Sequence, residues 1–86
     1  MIIRVTREDI KRGLRASSYS CPLALALARQ FPGKGYLVSD EVVYDSDGDI
    51  VWWLGKAARR WVARFDADGP AQATPRALLL CPPTPS

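Results

Sequence analysis

Residues 21–28 read Cys-Pro-Leu-Ala-Leu-Ala-Leu-Ala, an apolar run that meets no charged side chain until Arg29. The alternation of large and small residues has the period of a strand. Leucine and alanine are nevertheless strong helix formers, and alanine is depleted in strands, so a helix is expected. Being apolar on nearly every side, it should be the most buried helix of the chain. Ser20 is the expected N-cap, with Cys21 and Pro22 in the first turn, where a missing N–H has no intrahelical acceptor to lose. The uninterrupted run of residues 23–28 is far shorter than the roughly 20 residues that cross a bilayer, so no membrane association is expected.

The rest of the chain supplies what this helix can pack against. Residues 2–5 are β-prone, and Thr6 followed by Asp9 forms a near capping box for a short helix ending near Arg12. Ile10 and Leu14 should face inward there, with Gly13 ending the helix in a left-handed conformation. Residues 15–19 read as a loop. Residues 36–38 and 42–44 are strand-like, as one irregular strand or two, and residues 42–54 read as a hairpin around the turn Asp45-Ser46-Asp47-Gly48-Asp49. Residues 56–65 form an amphipathic helix with Ala57, Ala58, Trp61, Val62 and Phe65 in one stripe. Residues 77–81 form a last strand. The expected fold is a small α+β domain: an antiparallel or mixed sheet of three to five strands, with two to three helices packed on one face. Its 86 residues suit one domain, globular over 1–81, and the prolines of 82–86 point to a disordered tail.

Composition narrows the chemistry more sharply than the fold. There is no histidine, so the usual base for a Ser or Cys nucleophile, the commonest metal ligand and the usual proton shuttle near neutral pH are all missing. No enzymatic activity, catalytic residue, metal or cofactor is therefore expected. Cys21 at a helix start could have a lowered pKa, but without a base or a nearby second cysteine it reads as a buried apolar residue. Cys21 and Cys81 read as free thiols, a disulfide requiring the last strand to lie beside the second helix. The aspartate-rich turn does not fit a calcium loop: with Gly48 in the sixth position, the first is Val43 and the twelfth Leu54, where an acid is needed.

What remains is binding. Trp52 and Trp53 are neighbours on a strand, so their rings point to opposite faces, and one of them can serve as an exposed interface anchor. Charge is segregated: residues 35–55 hold five acids and no base, residues 56–64 four bases and no acid. The candidate partner-binding residues are thus Trp52, Trp53, Lys56, Arg59, Arg60 and Arg64. The basic helix face suits phosphates or the acidic side of a protein.

Three stretches carry a resemblance. Val5-Thr6-Arg7-Glu8-Asp9-Ile10-Lys11-Arg12-Gly13, then Cys21-Pro22-Leu23-Ala24-Leu25-Ala26-Leu27, then Phe65-Asp66-Ala67-Asp68-Gly69-Pro70 resemble the ordered motifs V-T-x-x-x-I-x-x-G, C-P-x-A-x-A and F-D-x-G-x-P of a group of small tailed-bacteriophage proteins. Gly69 falls one place late, and residues 77–80, Ala-Leu-Leu-Leu, replace an aromatic closing strand. The resemblance implies an accessory phage product in the bacterial cytoplasm, a location that the opening MIIRVTRED, lacking the order of a secretory signal, also suggests. By analogy with other small phage proteins, it implies a non-enzymatic binder or inhibitor of a host protein, anti-CRISPR-like in its manner of action. The alternative is a nucleic-acid-binding accessory or regulatory protein using the basic helix face.

Overall fold

The computed structural model describes residues 1–15 and 17–83. Ala16 of the expected loop, and residues 84–86 of the expected disordered tail, lie outside the described residues. Five strands and three α-helices follow one another as β1 (Ile2–Val5), α1 (Arg7–Arg12), α2 (Pro22–Gln30), β2 (Tyr36–Val38), β3 (Val42–Asp45), β4 (Ile50–Leu54), α3 (Lys56–Asp68) and β5 (Arg76–Cys81). A 3-10 turn, Pro70–Gln72, joins α3 to β5. The strands form one antiparallel sheet in the order β1-β5-β4-β3-β2. The molecule is a small α+β fold.

Pairing of the first and last strands closes the order. Met1 and Leu80 exchange both backbone bonds, the terminal ammonium donating to Leu80 O at 2.8 Å and Leu80 N to Met1 O at 2.7 Å. With Ile3 opposite Leu78, the alternation of an antiparallel ladder leaves Ile2 and Arg4 with their backbone groups turned outward. Arg29 of α2 reaches across and donates to Arg4 O at 3.0 Å, which blunts that edge.

One cluster forms the core. Ile3, Val5, Leu78 and Leu80 from the sheet meet Leu23, Ala26 and Leu27 of α2 and Ala58 and Phe65 of α3. All three helices thus lie on one face. As its composition requires, α2 is the most buried of them. Its cap differs from the expectation by one residue: Cys21 takes the N-cap, its Sγ accepting from Ala24 N at 3.5 Å, because Pro22 is the first residue with helical geometry. The capping box of α1 forms as read, with the Thr6 side chain accepting from Asp9 N and the Asp9 carboxylate from Thr6 N.

Gly13 differs from its expected role. Its backbone is extended rather than left-handed, and Leu14 beyond it is exposed rather than inward-facing. The glycine is required by proximity: a Cβ there would stand 2.5 Å from Pro22 Cγ. Gly69 does use glycine's freedom, with φ of 80° where α3 turns into the 3-10 segment. Arg15 lies over it and donates through Nε to Asp66 O at 3.1 Å and through Nη2 to Ala67 O. Gly13 thus abuts the first turn of α2, and Arg15, two residues further on, holds the C-terminal turn of α3.

Candidate functional site

β4 alternates as a strand must. Trp52 faces the core, its ring 5.4 Å from Phe31 and 5.7 Å from Tyr36, and Leu54 is buried on the same side. Trp53 points to the helix-free face, opposite Val42 and Cys81, and is 39% exposed. Of the two tryptophans, Trp53 is the more exposed, Trp52 being partly buried against the core.

The four cations of α3 divide into two groups. Helical geometry places Lys56, Arg60 and Arg64 one turn apart on one side, and Arg59 on another. Arg59 lies 3.9 Å from Glu41 at the start of β3, within a different concavity. Lys56, Arg60 and Arg64 instead line a cleft of about 510 Å³ between α3 and the segment that leads into β5, where Arg76 adds a fourth cation. Arg64 is also 3.7 Å from Asp68, an exposed pair within the helix. Among the described residues no carboxylate lines the cleft.

Trp61 and Phe65 line the same cleft. Their rings are parallel within 3° at 5.8 Å, and the Trp61 Nε1–H donates to Thr74 O at 3.2 Å, which fixes the indole. Phe65 is buried and Trp61 half-buried, so the pair joins core to surface. The sequence grouped Trp61 with the core stripe and did not mark Arg76, Gln72 or Thr74. The four-residue spacing of cations at 56, 60 and 64 was the available signal; Arg76, twelve residues further on, needed the fold.

Other sequence candidates are occupied structurally. Cys21 adjoins a smaller concavity with Ser17, Ser18, Ser39, Asp40 and Asp66. Burial pushes its thiol pKa up, the Asp66 charge adds to this, and the backbone bond from Ala24 only partly offsets them. Cys21 is thus held as a thiol, and both cysteines are free. In the acidic turn, Asp45 is buried. The Asp49 and Asp47 N–H groups donate to its Oδ1 at 3.1 and 2.9 Å, and Lys34 lies 3.4 Å from Oδ2. The bond from Asp49 is foremost in holding the Asp45 carboxyl below its ordinary pKa, with burial opposing and Asp47 and Lys34 assisting. Among the described residues no group of three or more Cys, Asp or Glu is placed to hold a metal ion, and no helix is long and apolar enough to cross a membrane.

Fold and site together define a small antiparallel α+β domain with a basic, aromatic-lined cleft beside its last helix. Compared with protein families, curated proteins and solved structures, the chain matches none.

Proposed function

We propose that this protein acts by binding rather than by catalysis, and that the α3 cleft is a site for the phosphate backbone of a nucleic acid. The observation that carries this reading is the convergence of Lys56, Arg60, Arg64 and Arg76 on one concavity that, among the described residues, no carboxylate lines. Such a site neutralises phosphates and releases their counterions, which supplies affinity without sequence information. The setting inferred from the three ordered motifs is that of a phage accessory protein in the bacterial cytoplasm, where nucleic acid is abundant.

Salt provides the test. Four phosphate contacts on a single strand predict a slope of about −3 in log K against log salt, and so about a 50-fold loss of affinity between roughly 50 and 200 mM. The triple variant Lys56→Ala, Arg60→Ala, Arg76→Ala replaces exposed side chains only and should flatten the slope by about 2. Absence of binding at low salt, or equal slopes for the two proteins, contradicts the proposal.

A second reading, a binder of a host protein, has a surface of its own. Ile2, Leu79 and Trp53 lie on the helix-free face at 58%, 52% and 39% exposure, where an aromatic among aliphatic neighbours is a typical anchor. Trp53→Ser separates the readings: it should abolish capture of a protein partner and leave nucleic-acid binding as it was.

A further inference from the structure

We infer that the cleft takes a single strand rather than a duplex, with one unpaired base seated against Trp61 while the surrounding cations hold the phosphates on either side of it. This rests on the backbone-binding reading above and names the form of its ligand. Two observations carry it beyond charge.

The first is the indole. Phe65 lies parallel to it at 5.8 Å and Thr74 O takes its only donor, yet the ring is half-exposed and lines the cleft. The exposed part of the ring, on the cleft side, is what a ligand meets. An aromatic face surrounded by guanidinium and ammonium groups is the arrangement that single-strand binders use, because every base has a π-face and stacking tolerates any sequence. In a duplex the same face is already stacked on its neighbours, and access would require unstacking.

The second is shape. At about 510 Å³ the concavity lies within the 300–1,000 Å³ typical of small-ligand sites, large enough to admit a base. A site built for duplex backbone alone needs no such concavity. Gln72 adds an amide at the cleft, able to donate to or accept from whichever base edge is presented.

The test compares four probes at low salt: an oligothymidylate, a duplex of equal length, an abasic oligodeoxynucleotide and inorganic polyphosphate. Wild-type protein should bind the oligothymidylate at least 10-fold more tightly than the duplex or the abasic strand. Trp61→Leu should cost about 5- to 150-fold for the oligothymidylate, the effect of one lost stack, with its salt slope and its polyphosphate affinity unchanged. Trp61→Tyr should recover much of that loss. Equal wild-type affinity for the oligothymidylate and the abasic strand overturns the inference without requiring any variant to fold. Binding of all four probes with equal strength leaves the phosphate reading standing and this one refuted; failure of all four, polyphosphate included, removes both.

Discussion

Replacing Asp9 with alanine is expected to destabilise the fold by about 2–3 kcal/mol, a fall in Tm of roughly 10–20 °C for a domain of this size. The side chain is nearly enclosed, and its Oδ2 accepts from Thr6 N at 2.9 Å, Thr6 Oγ1 at 3.0 Å and Arg29 Nη2 at 3.0 Å. Truncation removes half of the α1 capping box and leaves the Arg29 guanidinium with Arg4 O. Because Arg29 is half-exposed, water recovers part of what it loses, which keeps the figure below that for a fully buried pair. The same carboxylate sets an acid limit. Burial by itself would raise its pKa, but the bonds from Arg29 and Thr6 outweigh burial and hold it below the ordinary value. A depressed folded-state pKa contributes stability above the unfolded value of about 3.9, and that contribution is lost as pH falls through the folded value. Thermal melts from neutral pH down to about 2 should therefore show a steeper acid loss in the wild type than in Asp9→Asn, with the two curves converging at the acid end. Parallel curves would show that the carboxylate is not the linked group.

Gly13→Ala is the second large effect, and its sign is diagnostic. The Gly13 backbone is extended, with φ of −72°, so alanine meets no backbone objection and would ordinarily stabilise by about 0.4–1 kcal/mol through the unfolded chain. Here the new methyl would lie 2.5–2.8 Å from Cγ, Cδ and N of Pro22, a rigid ring fully buried in the first turn of α2. The expected outcome is a loss of about 2–3 kcal/mol in chemical denaturation, as overpacking costs when the obstacle cannot turn away. In a Pro22→Ala background the same substitution should cost at least 1 kcal/mol less, since the two positions are coupled by contact. Equal costs in both backgrounds would place the effect elsewhere.

These two positions show what the sequence could and could not express. Local chemistry was legible: the Thr6 box, the helical reading of residues 22–30 against their period-two pattern, and the opposed rings of Trp52 and Trp53 all follow from neighbours within a few residues. Where a role depended on contact across the chain, the local reading differed. Glycine after a helix suggests a left-handed cap, and only the approach of Pro22 reveals a different need. Cys21 replaces Ser20 as the cap because of where the proline ring begins the helix. α3 runs past the expected Phe65 to Asp68, since Gly69 rather than the Asp-rich composition ends it. The cleft was half legible: Lys56, Arg60 and Arg64 share a helix side by spacing alone. Arg76 joins them only because β5 returns past α3, and Arg59, counted with them in sequence, turns to Glu41 instead.

The protein carries three tryptophans, and they report on three surroundings: Trp52 against the core, Trp53 on the helix-free face and Trp61 in the cleft. Their indole N–H resonances, followed in a 15N-correlated NMR titration, test the central claim directly. Addition of an oligothymidylate of about 12 nucleotides, within the roughly 4–16 that compact single-strand modules cover, should move the Trp61 signal and the backbone amides of Lys56, Arg60 and Arg76. The Trp53 signal should stay in place. Movement of Trp53 together with Ile2 and Leu79, while Trp61 remains still, would contradict the assignment of the binding surface to the α3 cleft.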